Sequence, residues 1–194
     1  MLIDEVMPQF DAIRTEHLLV EAPVRDAWSA TLDADFIETA TSSKLVRGLF
    51  AIRTAGEKAV RAVTRRPAPP EPEIASMRLR DMQTEGDWIR LGENPPNEIV
   101  FGVIGRFWSG ETVWEQTTPA GFREFERPGF ARIACNFSLR ACGDHRTLIS
   151  YECRTQATSP DARKGFMRYW RPMTPFIGMV LRAQLRLLAR KAAD

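Results

Sequence analysis

Histidine and cysteine are scarce, at two and three in 194 residues. Zinc draws its ligands mainly from these two residue types, so a buried zinc site is not expected. Cys135, Cys142 and Cys153 are odd in number and lack CxxC spacing, which argues against a disulfide framework or a zinc knuckle. HExxH, a phosphate loop and a GxGxxG after a strand are all absent. The run Gly102-Val103-Ile104-Gly105 sits inside a strand pattern instead. No metal, nucleotide or other cofactor is therefore expected. The opening segment MLIDEVMPQFDAIR carries Asp4 and Glu5 and has no apolar run of signal-peptide length. No stretch approaches the roughly 18 uninterrupted apolar residues of a membrane-crossing helix. A cytoplasmic protein with reduced thiols is the simplest expectation.

A surplus of one charge is also lacking. The formal net charge is +2, from 27 basic and 25 acidic residues, which excludes a polycation wrapping nucleic acid. Lysine stands at only four positions (44, 58, 164 and 191), so 23 of the 27 basic residues are Arg. Codon usage in a GC-rich genome explains such a bias; a need for planar guanidinium forks on carboxylate or phosphate would also produce it. The balance hides an asymmetry. Residues 160–193 hold eight basic side chains and one acid, whereas the rest of the chain holds 19 basic and 24 acidic residues.

Hydrophobic residues make up 44% of the chain. A chain of this length can bury roughly 70% of its unfolded surface without disulfides or metal, and one domain over 1–194 is expected. Residues 13–21 (IRTEHLLVE) predict a strand. Pro23 then opens a helix whose apolar face is Val24, Ala27, Trp28 and Leu32. A second helix is predicted over 42–64, with Leu45, Leu49, Ile52 and Val60 as its stripe. RRPAPPEP, over 65–72, reads as an extended connection.

From 86 to 157 the pattern is strand after strand: DWIRLG, IVFGVIGRFW, TVWEQTT, FREFER, FARIACNFSLRA and TLISYECRTQA, with turn residues between. IVFGVIGRFW is apolar on both faces and so is expected to be covered on both sides for part of its length. A five-residue connection over 142–146 sets Ile133, Cys135, Phe137 and Leu139 opposite Thr155, Cys153, Tyr151 and Ile149. A one-residue slip would mix apolar and polar faces. The same register leaves Glu152 and Arg154 on the polar side, as a solvated cross-strand pair. The last 35 residues are helical, capped by Ser159 and Pro160. Their stripe is Phe166, Trp170, Met173, Ile177, Val180, Leu181, Leu185 and Leu188, and Pro172 and Pro175 are expected to kink or interrupt it.

A strand, two helices, an antiparallel meander and one long amphipathic helix together predict an α+β helix-grip fold: a curved sheet wrapped around the C-terminal helix, with two helices between the first and second strands. The chain resembles the START-like helix-grip (SRPBCC) superfamily, in particular its bacterial polyketide cyclase/dehydrase-like and lipid-transport-like members. EHLLVEAPVRDAWSATLD resembles the opening strand and first helix. PGFARIACNFSLR and LISYECRTQ resemble the last two strands, and DARKGFMRYWRPMTPFIGMVLRAQLRLLARKA the closing helix. The resemblance spans about 10–193. It implies a space between sheet and helix that is either filled by side chains or holds a ligand.

Trp88, Phe101, Phe107, Trp114, Phe137, Tyr151, Phe166, Trp170, Met173 and Ile177 are the candidates to line that space, with Trp108 and Tyr169 near them; plain core packing is the competing reading. Gly102, Gly105 and Gly110 would permit strand curvature. The expected partner is a small hydrophobic molecule or lipid, with no nucleic acid. A cyclase/dehydratase-like lyase needing no metal or nucleotide is the enzymatic alternative implied by the resemblance. Its acid/base candidates are His17, Tyr151 and Glu115, and no nucleophilic triad supports it. Arg182, Arg186 and Arg190 recur every four residues on the closing helix. A solvated outer face is favoured over contact with an anionic membrane surface or an acidic partner.

Overall fold

A computed structural model of the chain describes residues 1–36, 77–109 and 112–193. It opens with a short helix α1 (Leu2–Val6), followed by β1 (Ala12–Val20) and α2 (Val24–Asp33). After a 3-10 turn at Leu79–Asp81 come β2 (Ile89–Asn94), β3 (Glu98–Arg106), β4 (Val113–Glu115), α3 (Pro119–Glu124), β5 (Ala131–Ala141) and β6 (Thr147–Ala157). The chain closes with α4 (Pro160–Ala193). All strands pair antiparallel in the order β1-β6-β5-β3-β2, with β4 also on β3. The first strand thus joins the sheet beside the last, and α4 lies along both. This is the α+β helix-grip architecture expected from the order of elements.

The predicted β5–β6 register holds, with Cys135 opposite Cys153 and Phe137 opposite Tyr151, and the connection is residues 142–146. Alternation along these strands gives the sheet an inner face toward α2 and α4, where Ile99, Phe101, Cys135, Phe137, Leu139, Ile149 and Tyr151 share one core with Leu181, Leu185 and Leu188. The apolar face predicted for α2 packs against this core. The predicted helix over 42–64, the RRPAPPEP segment and Gly110 lie outside the described residues. The Phe36 N–H donates to Met77 O at 2.9 Å.

The outer face departs from expectation. Ile3, Val6 and Met7 cover Ile89, Leu91, Val100, Ile104 and Ala134 there, together with Phe122. Covering on both sides leaves every residue of β3 from Glu98 to Gly105 buried, as its double-faced apolar pattern predicts. Glu152 and Arg154 are therefore not a solvated cross-strand pair. They are neighbours along β6, and Arg154 is 7% exposed beneath α1. Its guanidinium donates to Met7 O at 2.9 Å, Asp4 Oδ1 at 2.7 Å and Glu152 Oε1 at 2.6 Å. At the other end of α1, buried Glu98 accepts the N–H groups of Leu2 (2.7 Å) and Ile3 (3.2 Å). An anion at the first amides and a cation at the last carbonyls satisfy groups that a five-residue helix cannot pair internally.

FREFER is the other correction. It is not a strand: Pro119–Glu124 is helical, capped by the Thr118 hydroxyl, which accepts the Gly121 N–H at 3.2 Å. A cap residue followed by proline is a helix start, and the helix buries Phe122 on the outer face. Gly102 makes room for this, since a Cβ there would stand 2.7 Å from Leu91 Cδ1 and 3.0 Å from the Phe122 ring. The closing helix is neither interrupted at Pro172 nor at Pro175 but runs through both. The Thr174 hydroxyl donates to Trp170 O at 2.8 Å in this stretch.

Candidate ligand site between the sheet and the closing helix

The predicted aromatic residues fall into two groups at opposite ends of the space between the inner face and α4. In the first, Phe137 stacks on Tyr151 with ring centroids 4.1 Å apart and lies 6.0 Å from Phe101, which in turn lies 6.0 Å from Trp88. Phe36 adds a stacked ring 5.6 Å from Phe137. The strand register brings them together: Phe101, Phe137 and Tyr151 stand on three adjacent strands, and Phe137 faces Tyr151 directly. In the second, Phe107 meets Phe166 at 6.0 Å, Trp108 at 5.2 Å and Tyr169 at 5.7 Å, and Phe166 meets Trp170 at 5.5 Å. Trp114 joins it by stacking on Phe107 at 6.0 Å. Its ring lies across Gly105, where a Cβ would overlap it, yet Trp114 stays 36% exposed.

Ile177 packs from α4 against the inner core and against the Phe166–Trp170 cluster, and Met173 is half-buried on the same helix. Three inward residues between the groups, Ile133, Cys153 and Ile177, keep part of their surface accessible to solvent, although their neighbours Cys135, Phe137 and Tyr151 are buried. The inner face therefore combines a close-packed ring layer with an accessible apolar strip.

The three acid/base candidates are not gathered on this strip. His17 projects from the outer side of β1, exposed, with Nδ1 2.8 Å from Ser150 Oγ. Glu115 pairs with Arg127 at the rim. Tyr151 is inside, and burial, followed by the nearby Cys135 and Cys153 sulfurs, pushes its phenol well above the ordinary value. It is a hydrogen-bond donor at neutral pH, not a base. The Cys135 thiol is likewise pushed well up, by Cys153 first and by burial second. All three cysteines are free thiols. Among the described residues no three His, Cys, Asp or Glu side chains stand together as a metal site, and no helix is long and apolar enough to cross a membrane.

One polar constellation was missed in the sequence. Arg14 and Glu16 point from β1 toward α4. The Arg14 guanidinium binds Glu16 through Nε at 2.9 Å and through Nη2, and Arg182 reaches the same carboxylate at 3.1 and 3.2 Å. Arg182 thus belongs partly to the sheet–helix seam rather than wholly to a solvated face. The Arg-x-Glu spacing on β1, which puts both side chains on one face, is the available signal. It points nowhere until the pairing of β1 with β6 is known.

No family model matches the chain, and no curated protein matches it. Solved structures do. A conserved protein from Geobacillus kaustophilus has 10% identity and a TM-score of 0.45, over 94% of this chain and 95% of that one. A protein from Arthrobacter aurescens has 11% identity and a TM-score of 0.40, over 95% and 91%. The Zhui aromatase/cyclase from Streptomyces sp. R1128 has 12% identity and a TM-score of 0.33, over 94% and 93%. These are likenesses of fold. The helix-grip assignment rests on the sheet and closing helix themselves.

Proposed function

We propose that this protein binds a small hydrophobic or amphipathic molecule between the inner face of the sheet and α4. The supporting observation is the half-buried apolar strip of Ile133, Cys153 and Ile177, on a face that carries two groups of aromatic rings. In this reading Trp88, Phe101, Phe137 and Tyr151 form one end wall, and Phe107, Trp114, Phe166, Trp170 and Met173 the other. Affinity comes from apolar burial, at about 25 cal/mol per Å² removed from water before the cost of association. The dispersed acid/base groups favour binding over catalysis.

Native mass spectrometry of the purified protein, followed by organic extraction, tests this directly. A retained apolar molecule, and saturable binding of 1-decanol followed by tryptophan fluorescence, are expected. Ile133→Trp fills the strip and should weaken decanol binding about tenfold, the equivalent of roughly 1.4 kcal/mol, while the far-ultraviolet dichroism is unchanged. An empty protein whose response to decanol is the same with and without the substitution would overturn the proposal.

A further inference from the structure

On the edge of the same space, where α4 passes β1, the surface folds into a groove of about 660 Å³. Arg14, Arg171 and Arg182 line it together with Trp170, Pro175 and Met179. Three guanidiniums converge on one concavity, and the carboxylate that two of them share, Glu16, is 11% exposed and already bound by both. The third, Arg171, is exposed and has no hydrogen-bond or acidic partner among the described residues. Among the described residues that line the groove or bind its guanidiniums, three cations stand against one carboxylate, and each Arg keeps donors in hand, since a guanidinium carries five N–H groups. Only one acid, Asp161, occurs on the whole of α4 to offset them.

The constellation is set by packing. The Arg14 and Glu16 side chains lie directly over Gly178 of α4, where a Cβ would stand 2.6 Å from Arg14 Nη2 and 2.8 Å from Glu16 Oε1. A side chain at 178 would require the ends of both Arg14 and Glu16 to shift. The floor of the groove is apolar. Trp170 is 9% exposed and packs on Phe166 in the interior, and Ile177, next to Gly178 in sequence, packs against both the inner core and the Phe166–Trp170 cluster. The cationic groove therefore adjoins the apolar strip through Trp170 and Ile177.

We infer that this groove holds the acidic head of the ligand, so that the molecule bound is a single-chain or aromatic acid, its carboxylate or phosphate on Arg14, Arg171 and Arg182 and its apolar body running past Trp170 into the seam. The inference rests on the proposed binding function and narrows it from hydrophobic molecules in general to anionic amphiphiles. Planar guanidinium forks suit both oxyanions, and the surrounding tryptophan, proline and methionine suit the chain that carries them.

The test compares decanoate, 1-decanol and inorganic phosphate on the full chain by titration calorimetry, with wild type, Arg171→Gln, Gly178→Ala and Ile133→Trp. Decanoate is expected to bind about tenfold more tightly than decanol, as one or two charge-assisted hydrogen bonds allow, and to lose that advantage in Arg171→Gln. Gly178→Ala favours the helix but displaces Arg14 and Glu16, so it should weaken decanoate and leave decanol unchanged. Ile133→Trp should weaken both. Equal affinities of decanoate and decanol, or a decanoate preference that survives both groove substitutions, would overturn the inference while leaving the binding function standing. Phosphate as tight as decanoate would overturn it too, by showing that the apolar body contributes nothing. Binding of neither amphiphile would overturn both readings.

Discussion

Arg154 illustrates how one side chain decides the character of a whole face. By alternation it belongs to the polar side of β6, and a strand sequence alone gives such a residue to solvent. Its partner Asp4 lies 150 residues away, and nothing local in either segment announces the other. The inner-face register, in contrast, was legible, because Ile133, Cys135, Phe137 and Leu139 match Ile149, Tyr151, Cys153 and Thr155 in only one frame. Burial works against the Arg154 charge, and the hydrogen bonds it donates to Asp4 and Glu152 more than offset it, holding its pKa above the ordinary value. Arg154→Ala removes a buried cation and leaves Glu152 and the Met7 carbonyl without it. A loss of about 3 kcal/mol is expected, in the range for breaking a buried ion pair, read from the urea midpoint. The acid side depends on Asp4. Its carboxyl is held below the usual value by the Arg154 hydrogen bond and then by the N-terminal amine. A group depressed in the folded state stabilises fully above its unfolded value near pH 3.9 and loses that contribution as the pH falls through the folded value. Protection from hydrogen exchange at residues 2–7, taken relative to the intrinsic rate at each pH, should therefore fall below about pH 4, and Asp4→Asn, in which no such group titrates, should show no matching loss.

Elements, rather than residues, account for most of what the sequence concealed. α1 has five residues, far fewer than an isolated helix needs to hold in water. It forms because Glu98 takes its first amides, Arg154 its last carbonyl, and the outer face takes Ile3, Val6 and Met7. Periodicity over so short a span carries no signal, and Asp4 and Glu5 read in the sequence only as charges. α3 is hidden in the sequence for a related reason. FREFER alternates apolar and polar like an edge strand, yet only Phe122 is buried, and Thr118 with Pro119 starts a helix turn instead. Long elements were readable where α1 and α3 were not: the stripe of α4 puts Phe166, Trp170, Leu181, Leu185 and Leu188 in the interior as spaced. The dependence of α1 on the sheet is open to measurement. A peptide of residues 1–9 should show no helical dichroism, while the Leu2 and Ile3 amides in the intact chain exchange slowly. Removing residues 1–8 should uncover Ile89, Val100 and Ile104 and raise the binding of an anilinonaphthalene sulfonate dye. A helical peptide, or a truncated chain with unchanged dye binding, would show that α1 is not held in this way.

At the scale of the molecule, β3 and β5 carry two cores on one backbone layer. Their inner residues face α2 and α4, where the candidate ligand strip and cationic groove lie; their outer residues face α1 and α3. The aromatic walls were legible because period-two alternation on strands and a long helical stripe both survive in sequence, whereas the groove needed the pairing of β1 with β6 to exist as a site. We expect the two cores to melt as one unit, since both hang on the same strands. Phe137 is fully buried on the inner face and Phe122 on the outer, and each replacement by Ala should cost about 3–5 kcal/mol. Side chains on opposite faces share no partner here, so the double substitution should equal the two single losses to within about 0.5 kcal/mol. The dichroism and tryptophan fluorescence of each variant should change in a single coincident transition. If Phe122→Ala split the curve, so that fluorescence of the inner tryptophans outlasted the dichroism, the outer layer would be an independent unit. The single domain expected from chain length would then have to be given up.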